Sequence, residues 1–304
     1  MRSQTTLKAI LLAASSVLMF TAPAGFAEDG VGLAQFSTSA DVSNYAVDYR
    51  PIKQFSGAFA QEQRGRTKVS YAAVEQQGAA FMATYKKYLS NVPVSSLARD
   101  DQLAYWLNTR NMLVIDAMTD SRSRRRMSSA RGTPANPGKM WTEKRISVEG
   151  VELSLQDIEQ DIILANFADD PNVIFGLYQG TSGGPSFNPD GFSGANISAE
   201  LEAVGKDYVN SRNGLKISRK KAQLPAVVSW YQDAVFGGDA EVAKTHLSGL
   251  VDTSDVTKLA ATTEITSRKF SYSSDEFVVR QQAAPSTGGF GGAGGAGGGG
   301  GGGS

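Results

Sequence analysis

The stretch LAYWLNTRNMLVIDAM, residues 103–118, is apolar on almost every side of a 3.6-residue repeat. A helix of that kind has no face to give to solvent, so it belongs at the centre of a domain with other elements packed around it. Two amides are set into it, Asn108 and Asn111, one turn apart and on one face. A buried amide left without a partner costs about 1–3 kcal/mol, so both must bond to neighbouring groups. Either they pin a loop to the helix or they form part of a polar pocket. Trp106, in the same stretch, is a large apolar side chain that belongs either to the core or to that pocket.

Three other segments frame this helix. YAAVEQQGAAFMATYKKYL, beginning at Tyr71, repeats apolar residues at helical spacing and ends before Pro93, which predicts an amphipathic helix. In LSLQDIEQDII, Ser154 with Asp157 three residues on forms a capping box, and Leu155, Ile158 and Ile162 share one side of the helix it starts. Glu159 falls at the edge of that buried side. A carboxylate there is either paired within the structure or carries a raised pKa and a chemical role. The run VIFGL, residues 173–177, is short, apolar and bounded by Pro171 and Gly180, which suits an inner strand. Together these predict an α+β fold: a helix-rich single domain with a small buried sheet and a central apolar helix.

The N-terminus predicts export. Arg2 and Lys8 precede a short apolar run, and small residues at Gly25 and Ala27 suit cleavage before Glu28. The apolar run is too short for a membrane span, so no stable span is expected in the mature protein, which would be periplasmic or extracellular. The chain has no cysteine, so it has no disulfides to form on export, and about 250 residues between signal and tail can bury enough apolar surface to fold without them. Thirty basic residues balance thirty acidic ones, which gives no sign of a nucleic-acid partner. The runs RSRRR (122–126) and RKK (219–221) read as solvated charges. The tail of residues 283–304 is glycine-rich and should be disordered, since glycine has no side chain to bury and the most backbone entropy to lose. The expected organisation is a signal peptide at 1–27, an N-terminal extension at 28–68, the main domain at 69–238, a last segment or appendage at 239–282, and the tail.

AYWLNTRNMLVI, LSLQDIEQDII, VIFGLYQGTSGGP and LPAVVSWYQDAVFG stand in this order along the chain. The set resembles the DUF547 domain family, a domain of unknown function found in exported bacterial proteins and, joined to a leucine zipper, in plants. The resemblance covers roughly residues 97–237. It implies a fold more than an activity, and the departures from the family pattern are informative. Arg110 stands where the family has tyrosine between its two asparagines. Gln160 and Ile174 stand at histidine positions, and Gln179, Gly183 and Gly184 replace a cysteine, a serine and a second cysteine.

Hydrophobic and turn-forming positions therefore match while reactive ones do not. Thiolate chemistry needs a cysteine, and metal capture by the same positions needs Cys or His donors in number. The chain has one histidine, His246, on a predicted helix outside the resembling region. Ser182 lies in GTSGGPS rather than in a G-x-S-x-G elbow, and GTSGGP lacks the lysine of a phosphate loop. No cofactor, metal ligand set or catalytic residue is assigned. The expected pocket comprises Trp106, Asn108, Asn111, Glu159, Tyr178, Gln179 and Ser182, and would hold a small polar ligand or a peptide or protein partner. The alternative is a hydrolase-like enzyme working through Glu159, with Asp116 or Asp233, or through Ser182.

Overall fold

A computed structural model describes residues 33–120 and 127–278. The expected signal peptide, the RSRRR run and the glycine tail lie outside the described residues. The fold is α+β and helix-rich, with small sheets of two or three strands.

Helix α1 (Arg50–Phe59) runs into an antiparallel hairpin of β1 (Ala60–Glu62) and β2 (Thr67–Val69). Arg64 and Gly65 close it with φ of 56° and 71°, both left-handed, which matches the twist of the two strands. The helix predicted from Tyr71 is present as Tyr71–Ala73, a π-helical turn at Val74–Gly78, and α2 (Ala79–Ser90). The central helix α3 (Arg99–Thr119) starts with Asp100 and Asp101 against the positive end of its dipole. It packs against the segments around it on several sides, and every side chain from Gln102 to Ile115 is buried.

After α3 come α4 (Met127–Arg131), a short ladder of β3 (Gly132–Thr133) with β4 (Asn136–Pro137), and a one-turn helix Lys139–Thr142. The hairpin β5 (Lys144–Val148) and β6 (Val151–Ser154) follows. The capping box forms as read: the Asp157 carboxylate accepts from the Ser154 amide at 2.6 Å, and the Asp157 amide donates to the Ser154 hydroxyl at 3.2 Å. The helix it opens is π-wound over Asp157–Leu164, and this wider winding carries Glu159.

Residues 173–177 are a correction. They are not a strand; Pro171–Gly176 is a 3-10 helix, buried as expected. The Asp170 carboxylate caps it by accepting from the Asn172 amide at 2.9 Å, and Pro171 occupies its first turn. Cap and proline pre-set helical dihedrals, and these outweigh the apolar run. The segment lies against α3 and α5 (Ile197–Val209) at a close approach that glycine permits. A Cβ on Gly176 would stand 2.8 Å from Leu201 and 3.0 Å from Leu107.

The C-terminal part forms a three-stranded sheet in which β7 (Lys216–Ser218) pairs antiparallel with β8 (Lys221–Leu224), and β8 pairs parallel with β9 (Glu264–Ser267). One-turn helices Ala226–Trp230 and Gln232–Phe236, α6 (Ala240–Ser248) and α7 (Thr253–Ala260) stand between β8 and β9. One continuous apolar core runs from Phe36 to Leu250. No helix among the described residues is long and apolar enough to cross a membrane.

Candidate functional site

The centre of the molecule is ionic. Arg110, in the middle of α3, and Glu159 are both wholly buried and meet at 2.7 Å. Glu159 takes four donors. Its Oε2 accepts from Arg110 Nη2 and, at 3.2 Å, from Trp141 Nε1; its Oε1 accepts from the Tyr231 hydroxyl at 2.5 Å and Gln160 Nε2 at 3.2 Å. Burial alone would push this carboxyl up, but the charges of Arg110 and Arg131 and the bonds from Tyr231 and Arg110 hold it below its ordinary value. The Tyr231 phenol is driven above its usual range, by burial first and then by the carboxylate it faces.

Arg110 also donates through Nη1 to Asn111 Oδ1 at 2.9 Å and to the Tyr178 carbonyl. Asn111 Nδ2 donates to the Gly176 carbonyl at 2.8 Å, and its Oδ1 accepts from the Tyr178 amide at 3.1 Å. A second arginine, Arg131 at the end of α4, is buried among aromatic rings. Its guanidinium lies 4.4 Å from the Trp141 ring centre, 4.6 Å from Trp230 and 5.5 Å from Phe270. Its Nε and Nη2 both donate to Gln179 Oε1, and Gln179 Nε2 donates to the Leu177 carbonyl at 3.0 Å.

Of the seven expected pocket residues, the side chains of Asn111, Glu159 and Gln179 and the backbone of Tyr178 therefore meet in one network, while the Tyr178 hydroxyl turns to that of Tyr71. Asn108 faces elsewhere: both ends of its amide bond the backbone of Phe192 at 2.8 Å, which fixes that loop to α3. Trp106 sits in the core edge-on to Phe36 and Tyr105, and its Nε1 has no partner. The Ser182 hydroxyl meets the Ser271 hydroxyl at 2.8 Å. A cleft of about 370 Å³ lies beside the β1–β2 hairpin, with Arg66, Asp207 and Tyr208 in its wall and none of the seven among its lining residues. His246, on α6, is half-buried and bonds Asn172 Oδ1 at 2.9 Å, far in sequence from this network. Among the described residues no three His, Cys, Asp or Glu side chains are placed to hold a metal ion.

Sequence reasoning missed Arg131, Trp141, Tyr231 and the pairing role of Arg110. A signal for the last was present: an arginine inside an otherwise apolar helix must have an anion, and Glu159 was the acid at a buried edge.

The turn after Gln179 is covered by the chain's own C-terminal segment. Residues 270–276 lie across it: the Ser182 amide donates to the Ser273 carbonyl at 2.8 Å, the Gly183 amide to Ser271 at 3.1 Å, and the Asp275 amide to Gly180 at 3.1 Å. On the opposite side the Val69 amide donates to the Asp275 carbonyl at 3.4 Å. The Asp275 carboxylate, fully buried, pairs with Arg66 at 2.7 Å, and Glu276 accepts from the Ala72 amide at the start of a helix at 3.2 Å. Two glycines make this possible. A Cβ on Gly183 would lie 2.6 Å from the backbone nitrogen and oxygen of Ser271, and one on Gly184 would lie 2.4 Å from Gln179 Cγ. The strap and Gln179 thus fill the space that side chains at 183 and 184 would need.

Residues 94–209 match the DUF547 family, described as a protein of unknown function. No curated protein and no solved structure matches the chain. The matched segment supplies Arg110, Arg131, Trp141, Glu159 and Gln179, whereas Trp230, Tyr231 and the strap come from beyond it.

Proposed function

We propose that this chain, a DUF547 domain over residues 94–209, is an exported, non-catalytic interaction module in which the positions the family uses for reactive side chains have become structural. The observation that carries the reading is Glu159. Its two oxygens are occupied by four protein donors, it is sealed from solvent, and its neighbours favour the ionised form. A general acid needs a proton to give near neutral pH, and a general base needs a free lone pair within reach of substrate; Glu159 has neither. Ser182 fares no better as a nucleophile. Among the described residues its side-chain partner is another serine hydroxyl, which cannot take its proton at neutral pH. Gln179 and the two glycines likewise offer no nucleophile.

Export is supported by the basic start, the short apolar run and the small residues before Glu28. Sequencing the N-terminus of the secreted protein should give Glu28 as the first residue.

The test of the non-catalytic reading is a screen of the purified mature protein against ester, amide and glycoside substrates, with and without a metal chelator. No turnover dependent on Glu159 or Ser182 is expected. Activity that disappears in Glu159→Gln or Ser182→Ala, with the circular dichroism of the parent retained, would establish the hydrolase instead.

A further inference from the structure

We infer that the groove between Val69 and the 180–184 turn is a peptide site that accepts an extended segment by strand addition, and that residues 270–276 are its resident ligand in cis. The inference rests on the interaction-module reading and gives that module its partner class.

The strap is held through its backbone on both edges, with single bridges at Thr181–Ser274 and Val69–Glu276. Backbone bonds reach it from Val69 on one edge and from Gly180, Ser182 and Gly183 on the other, the mode in which main-chain pairing gives affinity and side-chain pockets give selectivity. The contact is also poorly satisfied. Four buried polar atoms at it have no hydrogen-bond partner: Arg66 Nε, Thr181 Oγ1, Ser274 Oγ and Asp275 Oδ1. Thr181 and Ser274 face each other across the strap's own bridge. Each such atom costs about 1–3 kcal/mol relative to its hydrated state. Of the seven strap residues only Asp275 is fully buried, and the apolar contribution comes from Phe270 and Tyr272, which are partly buried against the core. A segment that is mostly half-exposed and carries unsatisfied polar groups opens before the core does.

The strap's sequence, FSYSSDE, shows what the groove selects. Its first residue stacks on Trp230 with ring centres 4.2 Å apart, and its second bonds the Ser182 hydroxyl. The third donates to the Gly132 carbonyl at 3.2 Å, the sixth pairs with Arg66, and the seventh accepts from the Ala72 amide. The ligand class is therefore an extended peptide with two aromatic residues flanking a serine, followed three residues later by an acid pair. Tethering gives the resident strap an effective concentration on the order of millimolar, so a free peptide gains access when the strap is weakened.

The test uses the full mature chain and a fluorescent peptide of sequence FSYSSDE. Phe270→Ala/Asp275→Ala weakens the strap and leaves the groove intact. This variant should bind the peptide saturably and at least tenfold more tightly than the parent does. Adding Gly183→Ala, which puts a methyl group where the incoming backbone must pass, should abolish the gain. Replacing the peptide's aspartate by asparagine should weaken binding about tenfold, since it removes the charge facing Arg66. A folded strap variant that binds no peptide, or binding that Gly183→Ala leaves unchanged, overturns the inference. Should the strap variant fail to fold, hydrogen exchange in the parent decides. The amides of Ser182, Gly183 and Asp275 should exchange at least about 100-fold faster than those of α3, and exchange of both sets only in global unfolding overturns it. Failure here leaves the non-catalytic reading standing, whereas turnover in the substrate screen would remove that reading and leave the groove untouched.

Discussion

An arginine in the middle of an apolar helix is held by a carboxylate two segments away, and neither makes sense without the other. Removing one partner of such a pair leaves a charge buried without compensation, which typically costs 3–5 kcal/mol. Arg110→Met should therefore lower stability in urea denaturation by about that much. Because the Glu159 carboxyl is held below its ordinary value of 4.5, the unfolded chain binds more protons than the folded one as pH drops past that value. The stabilisation should be complete above about 4.5, should disappear as pH falls below it through the folded pKa, and should be absent from the pH profile of Glu159→Gln. Part of this was legible in the sequence. The capping box placed Glu159 at a buried edge, and the helical spacing placed Asn111 in the interior. The partners Trp141 and Tyr231 were not legible, because each reaches Glu159 through tertiary packing that no local spacing encodes.

Among the elements, periodicity was sufficient wherever a segment was long. Residues 71–90 and 99–119 are helical as their apolar patterns dictate, and their π-wound turn at Val74–Gly78 is the only detail the pattern omits there. Short segments are governed by their ends instead. VIFGL carries the composition of an inner strand, yet Asp170 and Pro171 ahead of it start a 3-10 helix, and the backbone bonds a sheet would have supplied are partly met by Asn111. The same logic makes Ser154 worth testing. Its hydroxyl is the cap of the helix that positions Glu159, so Ser154→Ala should cost about 1 kcal/mol in a urea melt.

For the whole molecule, the apolar core is continuous from Phe36 to Leu250 and the ionic centre draws on segments from Arg110 to Tyr231. Calorimetry on the purified protein should therefore give one cooperative transition, coincident with loss of the near-ultraviolet dichroism of its tryptophans. Two separated transitions would mark the C-terminal helices as an independent unit. The strap was the least legible feature of all, since Ser182 and Ser271 meet across 89 residues of chain and nothing in FSYSSDE announces a destination. Its seat is sterically exacting, since a Cβ at Gly183 would stand 2.6 Å from the strap's backbone at Ser271. Position 183 and the C-terminal segment are therefore coupled across the chain: a side chain can be accepted at the one only if the other gives way, so the two must be changed together or not at all.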